Sequence, residues 1–481
     1  MASIDGLITG MSTSDTIAQL MKLEAAPQTA LKNKITTANK VVSAYQSVNT
    51  RLSSIVSAAK ALGDPNTWNA TKATASSDAL VVSAQAGASV GSFSFHVDQL
   101  AATHVMTYSS GSVASPTASV VSGNNFKIKL TDGTTKTISA NQATEKSLES
   151  VVAAINSEPK AFYTAAAVQI GSGQYTLQLT AKGSGSAAAF TAAEAPTSLS
   201  LGTATTIVQG QDAQLKVGSG SSAYTINSAT NTFVNVVSGV TVTATKVQSG
   251  TDPAVTIDVK SDPDSIAAKV QALIDNANVA LSEIASQSKT KTGEVAAGPL
   301  VGDSAMRKLS QDILGAVSSG VAGIGSFGTA TLNAVGIAVD RSGKLTFNKD
   351  EFIKAYKNDP AGTQKYFDSY DDKAGGTAAK FEPGFDVAKG LARKLEAIAL
   401  MASEGVVDPT NPTKPKQGIL QSLIQQRNDA IKGLNDQVSA WDVRLESRKT
   451  ALQRQFSNLE VALGKMQQQS SWLAGQLAGL A

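Results

Sequence analysis

The chain has 481 residues, 42% hydrophobic and only 5% aromatic, with 41 basic side chains against 38 acidic ones. That length allows three or four domains, and the near-balance of charge, without a long block of one sign, points away from nucleic acid and from an acidic tail. The absence of cysteine excludes disulfides, thiolate metal sites and cysteine nucleophiles.

The first 27 residues have no cationic n-region and no continuous apolar core, so they do not read as a cleavable secretory signal. Ser12, Ser14 and Asp15 offer caps for a first helix carrying Ile17, Leu20 and Met21. Pro27 suits the first turn of a second helix. There Leu31, Ile35, Ala38, Val42, Tyr45, Leu52, Val56, Ala59 and Leu62 form a narrow apolar stripe of coiled-coil type. "GDPN" from Gly63 stops it.

From residue 69 to about 260 the period changes to two. "SFSFHV", "NNFKIKLTDGTTKTIS", "QYTLQLT", "AQLKV", "SGVTVTAT" and "AVTIDVK" read as strands, with Asp132-Gly133 as a hairpin turn. One helix, Glu145 to Asn156, interrupts them, and "KGSGSAAAF" reads as loop. The strands resume after Gly210 with a different texture, which suggests one β-rich module inserted in another.

The helical period returns at Asp262. Ile266, Val270, Leu273, Ala277 and Leu281 share one face, and further helices are expected over Asp303 to Val317 and over "DVAKGLARKLEAIALMAS". "VDRSGKLTF" reads as a hairpin and "EGVVDPTNPTKPKQG", with three prolines, as a loop. Ile313 to Val339 carries no charge over 27 residues, but twelve of them are Gly, Ser, Thr or Asn, so no membrane span is expected there.

The last segment carries the clearest pattern. Steps of seven from Ile424 reach Ile431, Val438, Leu445, Leu452, Leu459, Met466, Leu473 and Leu480, all apolar. A second, less regular seam includes Leu434, Trp441, Phe456, Leu463 and Leu477, broken by Arg427 and Arg448. A helix of that length, about 85 Å, is too long for a small globule to cover and must lie along other helices.

The expected fold is therefore α+β and multidomain: a helical coiled-coil leg formed by both termini, plus two β-rich head domains, the second inserted in the first. The expected divisions are residues 1–40 with 432–481 as terminal helices, disordered in the free monomer; 41–68 with 264–431 as a helical leg domain with a small hairpin; 69–106 with 206–263 as one β-rich domain; and 107–205 as the inserted one.

No catalytic constellation stands out. His96 and His104 lie eight apart with only Asp98 nearby, too few ligands for a metal. "DRSGKLTFNKDE" imitates a calcium loop at its first and last positions, but Leu345 takes the place of the required glycine. Neither a phosphate-binding G-x-x-x-x-G-K-[ST] loop nor a G-x-S-x-G elbow occurs, and Asp371-Asp372 reads as a solvated turn. An enzyme and a cofactor are not expected.

Several blocks resemble the flagellar hook-associated protein 2 family, the FliD filament-cap proteins. They are "GLITGMSTSDTIAQLMKLEAAPQTALKNK", with Gly6, Leu7, Thr9 and Gly10 matching the usual opening, "GQDAQLKV", "NTFVNVVSGVTVT", "GPLVGDSAMRKLSQDI", "VGIAVDRSGKLTFNKDEF" and "RQFSNLEVALGKMQQQSSWLAGQL". Met11 departs from the more common leucine, and residues 107 to 205 match weakly. The resemblance implies a structural protein of the flagellum tip, outside the cell and exported without a cleavable signal peptide. It would form a homo-oligomeric ring that retains exported flagellin and promotes its insertion. Its implied partners are copies of itself, flagellin, proteins of the filament end and hook–filament junction, and a cytoplasmic export chaperone. Ile17, Leu20, Met21, Leu31, Ile35, Leu445, Leu452, Phe456, Leu459, Leu463, Met466, Leu473 and Leu477 would be the assembly contacts. The alternative is an adhesin, with β domains on a coiled stalk binding a host mucin or another surface ligand.

Overall fold

The computed structural model describes residues 12–108, 110–322, 329–330, 332–373 and 380–478. Gly6, Leu7, Thr9, Gly10 and Leu480 therefore lie outside the described residues, as does the middle of the glycine-rich stretch after Ala322. The chain divides into two compact units, residues 1–68 with 263–481 and residues 69–262.

The first unit opens with α1 (Thr13–Glu24). Ser12 caps it, its hydroxyl accepting from the Asp15 N–H at 3.2 Å, which satisfies one of the donors a helix start leaves open. A single residue, Ala25, separates it from α2 (Ala26–Leu62), where Pro27 sits in the first turn. The expected border at residue 40 falls inside this unbroken helix. After Gly63 a short α3 (Pro65–Trp68) turns the chain, fixed by the Trp68 indole N–H donating to the Leu62 carbonyl at 2.7 Å.

The second unit holds two hydrophobic cores. Strands β1 (Thr71–Ala75), β2 (Leu80–Ala84) and β3 (Gly91–Gln99) begin it. The chain then enters a separate sheet through β4 (Thr103–Thr107), β5 (Asn125–Lys129), β6 (Thr135–Ser139), helix α4 (Leu148–Asn156), β7 (Tyr163–Gly171), β8 (Gln174–Ser184) and β9 (Thr205–Val208). It returns through β10 (Ala213–Val217), β11 (Tyr224–Ser228), β12 (Thr232–Val237), β13 (Val240–Ala244) and β14 (Val255–Ser261).

The sheet orders make the insertion explicit. One sheet runs β1-β14-β3-β10-β11, so β3 pairs directly with β10 although more than a hundred residues separate them. With β12-β13-β2 it encloses Phe95, Val97, Leu215, Val242 and Ile257. Alternation places these inside: Val255, Ile257 and Val259 are buried while Thr256 and Asp258 are not. The intervening segment forms its own β7-β8-β4-β9 sheet, the β5-β6 hairpin and α4 around Phe126, Ile128, Tyr163, Leu177 and Leu179. Its strands β4 and β9 straddle the expected borders at 106/107 and 205/206. The Asp132-Gly133 turn is present, with Gly133 at φ +81° and Asp132 accepting from the Thr134 N–H at 3.0 Å. The expected helix from Glu145 begins later, because Thr144–Lys146 forms a 3-10 turn and Ser147 caps α4. "KGS" of the expected loop belongs to β8.

The first unit resumes with α5 (Pro263–Ser288) and α6 (Ser304–Ser318). The small pairs β15 (Val321–Ala322) with β16 (Thr329–Ala330) and β17 (Ile337–Val339) with β18 (Leu345–Phe347) follow. Next come α7 (Lys349–Asn358), α8 (Pro360–Phe367), the pair β19 (Tyr370–Asp371) and β20 (Val387–Ala388), and α9 (Leu391–Ala402). Strands β21 (Gly405–Asp408) and β22 (Asn411–Gln417) then lead into α10 (Ile419–Ala478), 60 residues long. The proline-rich stretch expected as a loop is thus a hairpin. Both strands of a two-stranded ribbon are edge strands, and proline is tolerated at an edge where the N–H side faces away from the partner. The helix expected from Asp386 starts only at Leu391, behind Gly390.

The core of this unit lies where α2 packs on α5 and α9. Leu52, Ile55, Ala59 and Leu62 on α2 and Ile266, Val270, Leu273 and Ala277 on α5 are all fully buried. At its base Trp68 stacks near Phe367, ring centroids 5.6 Å apart, and the Tyr356 hydroxyl donates to the Trp68 carbonyl at 2.6 Å. Arg393 is buried against the Asp368 carboxylate at 2.6 Å and that of Glu396 at 2.8 Å, with Phe381 5.0 Å below its guanidinium. Burial raises both carboxyl pKa values and the arginine pulls against it.

Candidate assembly surface on the terminal helices

Three helices build the surface. α10 packs along α2 and then along α1. Glu24 meets Arg448 at 3.3 Å, the Gln28 amide donates to the Asp442 carboxylate at 2.5 Å, and Tyr45 lies near Arg427. Partner numbers on α10 fall as those on α1 and α2 rise, so the helices run antiparallel.

The two arginines that interrupt the second seam have partners on the same chain. Arg448 reaches Glu24, and Arg427 faces the Tyr45 phenol, whose hydroxyl donates to Asp303 at 2.5 Å. Asp303 also caps α6 through the Ala305 and Met306 N–H groups at 2.8 and 3.1 Å. One carboxylate therefore ties the start of α6 to the middle of α2. Burial, reinforced by that hydrogen bond, pushes the Tyr45 phenol up to about 12. Heptad spacing alone registers these arginines only as faults, because their partners are remote in sequence.

The apolar stripe changes character along α10. Ile424, Ile431, Val438 and Leu445 are half-buried, and Leu452 is 7% exposed. Beyond it Phe456 and Leu463 stay half-buried, while Leu459 is 51%, Met466 56%, Leu473 56% and Leu477 62% exposed. On the N-terminal side Ile17, Met21, Leu31 and Ile35 are half-buried, and Leu20 is exposed. The structure thus brings Ile17 and Met21 beside Leu445 in one groove. It leaves Leu459, Met466, Leu473 and Leu477 as a stripe open to solvent. These exposed apolar residues repeat along one helix, unlike surface leucines scattered singly.

The other sites weighed from the sequence are structural. His96 bonds Asp98 at 2.6 Å and the Ser249 carbonyl at 3.0 Å. His104 is buried, and its Nδ1 accepts from the Gly210 N–H at 3.1 Å. Gly210 is glycine for want of room: a Cβ there would lie 2.8 Å from the Gly185 carbonyl oxygen. Asp340 accepts from the N–H groups of Ser342 and Lys344 at 2.8 and 2.9 Å, which closes a turn. Among the described residues no group of three or more His, Cys, Asp or Glu side chains is placed to hold a metal, and no helix is long and apolar enough to cross a membrane.

The fold is that of an α+β multidomain chain: long antiparallel helices from both ends of the sequence in one unit, and a β-rich unit with a nested insertion in the other. Comparison with known proteins is specific. The family described as flagellar hook-associated protein 2, C-terminus, matches residues 210–468, and its N-terminal counterpart matches residues 9–104. The chain belongs to the flagellar hook-associated protein 2 (FliD) family, a structural family of the flagellum rather than a family of enzymes. Residues 105–209, left between the two matches, hold nearly all of the inserted sheet.

The lateral flagellar hook-associated protein 2 of Vibrio parahaemolyticus is 27% identical over 157 residues, 33% of this chain and 34% of that relative. The match thus spans about a third of the relative's length. The crystal structure of the D1-D2-D3 domains of the flagellar cap protein FliD from Escherichia coli superposes with a TM-score of 0.55 at 21% identity, covering 80% of this chain and 99% of that one. At that identity the likeness is one of fold.

Proposed function

We propose that this protein caps the distal end of the flagellar filament, outside the cell, and assembles with copies of itself into a ring that retains exported flagellin and promotes its insertion. The observation that carries the reading, given the family, is the solvent-open stripe of Leu459, Met466, Leu473 and Leu477 at the end of α10. A helix that extends its apolar seam past its own cover has unsatisfied surface for neighbouring helices. The segments 1–40 and 432–481 act as the axial leg, and the β-rich unit forms the plate above the emerging subunits. Flagellin is retained by geometry, without nucleotide or covalent chemistry. The uncovered end of α10 orders fully only on contact, which lowers affinity per unit of buried surface and permits reversible stepping. Proteins of the filament end and the hook–filament junction, and a cytoplasmic export chaperone, meet these same terminal segments.

The test is complementation of a strain lacking its cap protein. Leu473→Ala with Leu477→Ala should shorten filaments and release flagellin monomers into the medium, at normal levels of secreted cap protein. Wild-type filaments from a chain lacking residues 442–481 would refute the leg assignment.

A further inference from the structure

Between α1 and α10 lies an open groove of about 790 Å³. Its floor is apolar, made by Ile17, Ala18 and Met21 on α1, Ala25 just after it and Leu445 on α10. Its rim carries Lys22 and Lys449 against Asp442 and Glu446, two charges of each sign. The lining residues on this side run from Ser14 to Ala25, about 17 Å of chain at the helical rise, enough for three successive knobs of an apolar seam.

We infer that this groove receives the last third of α10 from a second copy, with Leu459, Leu463 and Met466 as knobs. The same chain carries both the hole and the knobs, yet cannot bring them together. Leu445 and Met466 lie on one uninterrupted helix, about 32 Å apart along its axis, so α10 cannot fold back beside itself. Charge agrees: Leu459 to Ala478 carries one ionisable side chain of each sign, Glu460 and Lys465, and the rim charges cancel. Seating the segment therefore desolvates little unpaired charge. The contact joins two different surfaces, so it is heterologous, the kind that closes a ring when the rotation per copy permits. The inference rests on the ring reading above and names the contact between adjacent legs.

The absence of cysteine makes the test clean. Chains carrying Ala18→Cys and chains carrying Met466→Cys are mixed at a concentration where the protein sediments as an oligomer, then oxidised. The expected result is at least about tenfold more covalent dimer than from Ala18→Cys mixed with Lys260→Cys, because a seated pair shares a high effective concentration. Ala18→Phe, which plugs the groove, should weaken self-association about tenfold or more with helix content unchanged. Should that variant misfold, the cysteine pair still decides. An oligomer without the 18–466 cross-link overturns the inference and leaves the ring reading standing. A monomer at every concentration overturns both. Preferential bonding of the Ala18→Cys chain to a single-cysteine flagellin over the Met466→Cys chain overturns the choice of occupant.

Discussion

Leu452 and Leu473 occupy the same heptad position three heptads apart, yet one is 7% and the other 56% exposed. Truncating them should therefore do different things. Leu452→Ala deletes buried methyl groups and leaves a cavity beside α10. Such changes cost about 2–5 kcal/mol, and a site on the edge of a helix pair, free to relax, belongs near 2–3. Leu473 has lost less than half its surface to the fold. Full burial of a leucine is worth about 1.5–3 kcal/mol, so Leu473→Ala should cost the isolated chain under about 1 kcal/mol. The remainder is available to a partner, and losing it should weaken association about tenfold at each contact. All three tryptophans, Trp68, Trp441 and Trp472, lie in the helical unit. Urea unfolding followed by their fluorescence thus reports that unit in dilute solution, and sedimentation at higher concentration reports association. If Leu473→Ala destabilised the dilute protein as much as Leu452→Ala does, the end of α10 would already be packed within one chain, and the reasoning would be refuted.

Other residues give further predictions. Arg393→Ala should destabilise the helical unit by about 3–5 kcal/mol at neutral pH, since it strands the carboxylates of Asp368 and Glu396. Both carboxyls have raised pKa values in the fold, so folding takes up protons just above the usual carboxylate range. Stability from these groups is then present at low pH and lost as pH rises through their folded values. The penalty of the variant should accordingly shrink on acidification, and denaturation at pH 4 and pH 7 would compare the two; an equal penalty at both would contradict the prediction. Tyr45→Phe should cost about 1–2 kcal/mol through loss of the bond to Asp303, measurable by the same fluorescence transition. In the β-rich unit Asn156→Ala should lower stability by about 1–3 kcal/mol in a circular-dichroism melt. Its side chain satisfies both the N–H and the carbonyl of Ala165 on the edge strand β7, at 2.8 and 2.9 Å. Arg448→Ala removes an exposed pair with Glu24 and should change stability by less than about 1 kcal/mol.

What the sequence disclosed followed from local physics. Ser12, Pro27, Gly63 and Asp303 mark helix ends because capping and proline chemistry act within a few residues, and all four sit at or within one position of an end. The seven-residue repeat announced α10 because periodicity accumulates over a long helix. Short strands such as β1, "TKATA", and β2, "LVVSA", passed unread: alanine, serine and threonine give little contrast between their two faces. Helices α7 and α8 are too short for a period to accumulate, although Asn348 and Asp359 cap them. The hairpin of Gly405 to Gln417 was hidden by its prolines. At the candidate surface the stripe was legible, but the point where cover ends, past Glu460 and Leu463, was not. That depends on where α1 begins and on α2 and α10 running antiparallel, which one-dimensional spacing does not encode. The roles of Arg427 and Arg448 were obscured for the same reason.

The most direct measurement is sedimentation velocity of the full chain beside a chain ending at Asn458, over a range of concentrations. If the open stripe of α10 is the assembly surface, the full chain forms a discrete closed oligomer. The shortened chain, which keeps Trp68 and Trp441 but not Trp472, then stays monomeric and still unfolds cooperatively when followed through those two tryptophans. The same oligomer from the shortened chain, at the same concentrations, would contradict that claim.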